Sequence, residues 1–221
     1  MFAKEGHLLI GISLVISIIL GFLARYLGGV SGIVIGVLAA LPFLFTLYFF
    51  RDPTRVVPSV DAYTMLSPAD GTVVIIEEVD EPLYIKGPAR KVSIFLSPLD
   101  VHVNRIPIGG TIEFDQYVSG QYLVAWHEKA SELNERSQLG VRHESGQKVL
   151  FKQIAGAVAR RIVYHITTGD VVTTGDRFGL VKFGSRMDIL FPLDATVSVA
   201  VGDKVKGGLT TLGRLSESHE N

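Results

Sequence analysis

Gly169-Asp170-Val171-Val172, Gly175-Asp176-Arg177-Phe178 and Gly202-Asp203-Lys204-Val205 repeat one pattern three times in the last third of the chain. Glycine supplies a positive φ without steric penalty and aspartate bonds its own backbone, so each Gly-Asp pair marks a tight turn feeding a strand. Upstream, Thr72 to Ile76, Val92 to Leu96, Thr111 to Phe114, Val149 to Ile154 and Ile162 to Ile166 are short runs rich in β-branched and aromatic residues. Gly, Pro and Asp separate them. Ser131 to Arg136 is polar and helix-tolerant, and reads as a loop or a single helical turn. Many short strands joined by tight turns predict a mainly β domain over residues 56–221, a compact β-sandwich or barrel-like body large enough to bury a core.

The N-terminal part has a different character. Leu8 to Ala24 and Val30 to Phe50 are nearly uncharged apolar runs and account for the positive mean hydropathy of the chain. Each is near the roughly 20 residues a helix needs to cross a hydrocarbon core. Arg25 to Gly29 form a turn-prone link, and Phe50-Arg51-Asp52-Pro53-Thr54-Arg55 ends the second run. Residues 1–55 are therefore expected to be a membrane-anchoring helical hairpin. A signal peptide starting at Lys4 is the competing reading, but a second apolar run follows and no good small-residue cleavage site precedes it. Interfacial or core-packed helices remain a further alternative. Lys4, Arg51 and Arg55 at one end, against Arg25 at the tip, place the β domain on the cytoplasmic side of the cell membrane.

Composition excludes several functions. A net charge of −1 without a basic tract gives nucleic acid no electrostatic footprint. The absence of cysteine removes disulfides, thiol nucleophiles and Cys-based zinc sites. His7, His102, His127, His143, His165 and His219 do not fall into H-E-x-x-H spacing, so no metal site is expected. There is no G-x-S-x-G elbow, Walker loop or G-x-G-x-x-G. The Gly-Asp turns resemble those of lipoyl and biotinyl carriers, yet Lys204 sits within a turn-to-strand sequence, whereas a carrier lysine stands at a hairpin tip.

What remains is Val181-Lys182-Phe183-Gly184-Ser185-Arg186-Met187-Asp188, with β-like sequence on both sides. Taken alone, Gly184-Ser185 is a turn, Asp70 an Asp-Gly turn residue and His102 a loop histidine. Together, Ser67-Pro68-Ala69-Asp70-Gly71 at the opening of the β domain and Ser97-Pro98-Leu99-Asp100-Val101-His102-Val103-Asn104-Arg105 after a strand bring Asp70, His102 and Ser185 to three strand ends.

These blocks, with Phe50-Arg51-Asp52-Pro53, Gln153-Ile154-Ala155-Gly156, Ala159-Arg160-Arg161-Ile162 and Phe183-Gly184-Ser185-Arg186, resemble in order and spacing the phosphatidylserine decarboxylases, specifically their short bacterial and archaeal branch. The resemblance covers essentially the whole chain. It implies a proenzyme that cleaves itself between Gly184 and Ser185 into chains 1–184 and 185–221, which stay together as a heterodimer. Ser185 would become a covalent pyruvoyl cofactor that decarboxylates phosphatidylserine to phosphatidylethanolamine through a Schiff base. Asp70 and Ser185 transfer directly as site residues. The longer branch carries a second histidine three positions after the one matched by His102, where this chain has Arg105, so an intact Asp-His-Ser triad is not carried over. His102 is left to serve cleavage, decarboxylation or both. Arg105, Arg160 and Arg161 are either contacts for phosphate or exposed strand-end arginines. Two rival functions leave the chain intact: a non-catalytic membrane-anchored sandwich domain, and a serine hydrolase using Ser185 with His102.

Overall fold

Helix α1 (His7–Leu27) and helix α2 (Gly29–Phe49) form an antiparallel hairpin. Both are long and apolar enough to cross a membrane. Side chains such as Ile16, Ile19, Leu38 and Leu41 point outward and stay exposed. An apolar surface spread around a helix pair calls for an apolar surrounding, and a bilayer supplies it. Helix α1 runs through Arg25, Tyr26 and Leu27, expected above to belong to the link. Nothing in that triplet breaks a helix, and the reversal is made at Gly28, with φ at +60°. The Ser17 hydroxyl donates to the Ala39 carbonyl across the hairpin at 2.7 Å. The Ala3 N–H donates to the Phe50 carbonyl and the Asp52 N–H to the Met1 carbonyl, which ties the two open ends together.

The structure, a computed structural model, describes residues 1–121, 130–156, 162–182 and 185–217, in two units spanning 1–54 and 55–221. In the second unit the strands run β1 (Thr64–Leu66), β2 (Gly71–Glu81), β3 (Gly87–Leu96), β4 (Val103–Arg105) and β5 (Gly110–Val118). After a helical turn, α3 (Ala130–Leu133), come β6 (Arg136–Arg142), β7 (Lys148–Ile154), β8 (Ile162–Tyr164), β9 (Val171–Val172) and β10 (Arg177–Val181). The chain ends with β11 (Ser185–Pro192), β12 (Thr196–Val197), β13 (Lys204–Val205) and β14 (Thr211–Arg214). Eight strands make one curled sheet in the order β13-β2-β3-β11-β7-β6-β5-β9. Two three-stranded sheets, β1-β14-β12 and β4-β10-β8, complete the mainly β unit.

Alternation along β11 shows how the large sheet is packed. Met187, Ile189 and Phe191 enter the main core with Val92, Ile94 and Phe151, whereas Leu190 joins a smaller cluster around Tyr84 on the opposite face. A strand buried on both faces usually reads as a near-continuous apolar run, and β11 breaks that run with Arg186 and Asp188.

The three Gly-Asp turns form as the sequence predicts. Gly169, Gly175 and Gly202 have φ of +99°, +85° and +99°. In each, the Asp N–H returns to the carbonyl three residues earlier, closing a turn whose third position needs positive φ. The carboxylates of Asp170 and Asp203 add bonds to the Thr167 and Ala200 N–H groups. Two differences from the sequence reading stand out. Strand β8 stops at Tyr164, two residues before Ile166. Strand β6 was not visible, because Arg136-Ser137-Gln138 is polar; its buried polar groups are matched by Gln153 and Gln116 on neighbouring strands.

Candidate active site

Ser185 opens β11 at the rim of the large sheet. It pairs with Leu96, the last residue of β3, while Thr72 near the start of β2 pairs with Phe95 on the other side of β3. Asp70, just before β2, therefore precedes a strand that is separated from β11 by β3, about two strand spacings or 10 Å across the sheet. Ser185 is fully buried, and its Oγ has no hydrogen-bond partner among the described residues. Gly184, the expected partner in cleavage, lies outside the described residues, as do His127, His219, Arg160 and Arg161.

His102 reaches this rim through a local turn. In Ser97-Pro98-Leu99-Asp100 the Asp100 N–H donates to the Ser97 carbonyl at 2.9 Å and the Asp100 carboxylate accepts from the Ser97 N–H at 2.8 Å. Serine at the first position and proline at the second suit such a reversal. The turn aims the Asp100 carbonyl at His102 Nδ1, 2.9 Å away. A carbonyl oxygen only accepts, so Nδ1 carries the proton and Nε2 of the neutral ring is the basic nitrogen. The ring is fully buried. His143, also buried, has the opposite arrangement: Nδ1 accepts from the Ser145 N–H and Nε2 donates to the Ala62 carbonyl, which satisfies both nitrogens structurally.

Two chain connections link the same strands here. Residues 97–102 lead from β3 to β4, and residues 182–184 lead from β10 to β11. Leu96 pairs with Ser185 and Val103 with Leu180, so the connection carrying His102 and the one ending in Gly184-Ser185 join the same two strand pairs. Asp70 is placed differently. Its carboxylate receives both guanidinium N–H groups of Arg55, at 2.6 and 2.7 Å, and the Gly207 N–H at 2.9 Å. Arg55 also donates to the Gly207 carbonyl. The backbone N–H of Arg105 donates to the Pro68 carbonyl, fastening the end of β4 to the turn that holds Asp70. The Arg105 side chain donates to the Gly175 carbonyl at 3.0 Å.

Polar groups flank Ser185 on both faces of the sheet. On the core face, Ser137 Oγ donates to Gln153 Oε1, and Gln153 Nε2 donates to Asn104 Oδ1 on β4, both at 2.8 Å. On the opposite face, Arg186 is bound to Asp188 and to Ser93, each at 2.7 Å, and Asp188 accepts from Ser131. Lys152, the β7 neighbour of Asp188, is held below the ordinary lysine range by burial, with Asp188 and Glu81 pulling the other way.

By sequence alone Arg55 is a membrane-flanking charge, and Asn104, Gln153 and the Arg186–Asp188 pair carry no assigned role. The signals were present: Asn104 follows His102 by two residues, and two charges at alternate positions interrupt an apolar strand.

The β unit carries at a strand start a buried serine whose hydroxyl is unpartnered among the described residues, and an apolar helical hairpin precedes that unit in sequence. A sequence model described as phosphatidylserine decarboxylase matches residues 43–213, and the chain belongs to this decarboxylase family. Among similar proteins is a phosphatidylserine decarboxylase proenzyme of Salinibacter ruber, 61% identical over 173 residues, covering 77% of this chain and 76% of the relative. Proenzymes of the same name from Symbiobacterium thermophilum and Amoebophilus asiaticus are 42% and 43% identical over 97% and 98% of this chain, and 96% and 97% of their own lengths.

Proposed function

We propose that this chain is a proenzyme that cleaves itself at Gly184-Ser185 and then decarboxylates phosphatidylserine held in a cytoplasmic membrane leaflet. The observation that carries the reading is the fully buried Ser185 hydroxyl, unpartnered among the described residues, on a strand whose neighbour β3 leads through residues 97–102 to His102. A buried hydroxyl without a partner is unfavourable by roughly 1–3 kcal/mol, and such groups persist where chemistry needs them.

The cleavage follows from these groups. Ser185 Oγ adds to the Gly184 carbonyl carbon while His102 Nε2, the basic nitrogen, takes the hydroxyl proton. The Gly184–Ser185 C–N bond breaks and the freed Ser185 nitrogen takes a proton, which leaves an ester. Loss of the Ser185 Cα proton expels the Gly184 carboxylate from Cβ and leaves dehydroalanine. Tautomerisation, addition of water and loss of ammonia turn residue 185 into a pyruvoyl cap.

The site fits this group, because Ser185 starts a strand whose remaining residues stay anchored on both sides. The ketone, once present, supplies an electron sink for the pair released as carbon dioxide leaves the substrate's serine headgroup. His102 Nε2, after taking a proton from water, gives it to the substrate carbon from which carbon dioxide left. Asp70, tied to Arg55 and Gly207, acts by holding the rim in place. The apolar hairpin suits a substrate whose acyl chains remain in the bilayer while its headgroup reaches residue 185.

The test is direct. Purified protein should run as two fragments, the smaller starting at residue 185 with a ketone in place of its amine, and should release carbon dioxide from carboxyl-labelled phosphatidylserine. A single intact chain that reacts with fluorophosphonate would instead indicate a serine hydrolase.

A further inference from the structure

Asn104 Nδ2 and Ser185 Oγ are both buried and both lack a hydrogen-bond partner among the described residues. One is a donor with no acceptor; the other belongs to the residue whose chemistry changes. They share a side of the large sheet. Gln153 pairs with Met187 across β7 and β11, so its side chain projects on the face that also carries Ser185, two residues before Met187. Its amide spans from there to Asn104 on β4.

The amide orientation is set by the whole chain of bonds. Ser137 Oγ donates to Gln153 Oε1, which leaves Gln153 Nε2 as the donor toward β4, and Asn104 must answer with Oδ1. That fixes Asn104 with its N–H pair turned away from Gln153. A purely structural amide bridge would need no such leftover donor, since an apolar pair of the same shape is nearly neutral in stability.

Self-cleavage creates the missing acceptor. It removes both donors of Ser185, the hydroxyl and the amide N–H, and leaves an oxygen on Cα that only accepts. We propose that Asn104 is a catalytic residue whose Nδ2–H donates to the ketone oxygen formed at residue 185 and polarises that carbonyl toward the substrate's amine, with Gln153 and Ser137 as the positioning residues behind it. This rests on the reading of Ser185 given above. Donation there withdraws electron density from the carbonyl carbon, and it strengthens in a buried site with little competing water.

The experiment labels serine carbonyl-adjacent carbon with ¹³C and follows the ketone stretch of cleaved protein by isotope-edited infrared spectroscopy. In Asn104→Leu the band should move to higher frequency, as the bond regains double-bond character. Condensation with methoxyamine, which forms an oxime ether with loss of water, should slow by roughly two- to tenfold, the factor one hydrogen bond supplies. Asn104→Asp keeps an acceptor for Gln153 and loses the donor; it should shift the band in the same direction and covers the case in which Asn104→Leu does not accumulate. A fully cleaved variant with an unchanged band and unchanged methoxyamine rate overturns the proposal. A folded Asn104→Asp chain that stays uncleaved also overturns it, by moving the amide's role to the cleavage step. If wild-type protein itself shows no ketone band, the reading of Ser185 fails instead.

Discussion

Asp70→Asn is the perturbation that separates positioning from chemistry at the rim. Arg55 and Asp70 form a two-pronged pair, with side chains 6% and 13% exposed, and the carboxylate takes the Gly207 N–H as its third bond. An asparagine turns an N–H₂ group toward donors and leaves the guanidinium charge uncompensated under cover. Breaking one side of a buried pair is unfavourable by about 3–5 kcal/mol. Since Asp70 retains some solvent contact, the lower figure applies, near 3 kcal/mol. For a unit spanning residues 55–221 this lowers Tm by roughly 6–12 °C. Arg55→Met should have a similar effect, and the double variant should be little worse than either, because the two residues act as one unit. Circular dichroism gives the melting points, and cleavage is followed by gel well below the lowest of them. If Asp70 acts by holding the rim, Asp70→Asn and Arg55→Met slow cleavage alike. Abolished cleavage in folded Asp70→Asn beside near-normal cleavage in Arg55→Met would refute the positioning argument and make Asp70 a participant in proton transfer. A Tm change within about 1 °C for either single variant would refute the energetic one.

Ser185→Ala removes the attacking oxygen with little change in volume and should give a folded, full-length, inactive chain on gels and in the carbon dioxide assay. Wild-type fragments 1–184 and 185–221 should co-elute in native chromatography and separate only in denaturant; separation without it would contradict the strand pairing described here. Asp188→Asn strands the fully buried Arg186 and should lower stability by about 3–5 kcal/mol, whereas Arg186→Met with Asp188→Leu should recover most of that loss in urea unfolding. Tyr164 is pushed up from 10.0 to about 12, by burial first and then by its bond to Asp115. A raised acid pKa means the fold favours the neutral phenol, so this stabilisation is complete below pH 10 and is lost as pH rises toward 12. Tyr164→Phe should therefore flatten the alkaline limb of a stability-versus-pH curve in that window while leaving the region below pH 10 parallel to wild type.

Turns and helices were legible in the sequence because local chemistry dictates them. Gly169, Gly175 and Gly202 take the positive φ that only their identity makes easy, and the apolar runs become helices ending at Leu27 and Phe49. Strand β6 was illegible because its polar residues are matched by neighbours that only the tertiary fold supplies. The same holds at the site. Sequence could single out Asp70, His102 and Ser185 by type and spacing, but their bonds depend on register. Whether the imidazole is oriented by Asp70 or by the Asp100 carbonyl is decided by a turn closed between Ser97 and Asp100, and the partner of Asp70 proves to lie 15 residues upstream at Arg55.

The position of the proposed cleavage follows from what each strand must retain. Residues 182–184 join β10, in the small sheet with β4 and β8, to β11, in the middle of the large sheet. A break between Gly184 and Ser185 crosses no ladder, because β10 keeps β4 and β8 while β11 keeps β3 and β7. Downstream, β13 stays on β2 and β14 stays on β1. The new end is the first residue of a strand paired on both sides, with Met187, Ile189 and Phe191 locked in the core behind it. A reactive carbonyl needs a fixed position against its proton donor, and loops seldom provide one. Ser185 begins a central strand, so the proposed cleavage would remove a peptide bond at the rim without releasing the residue on which the proposed chemistry depends.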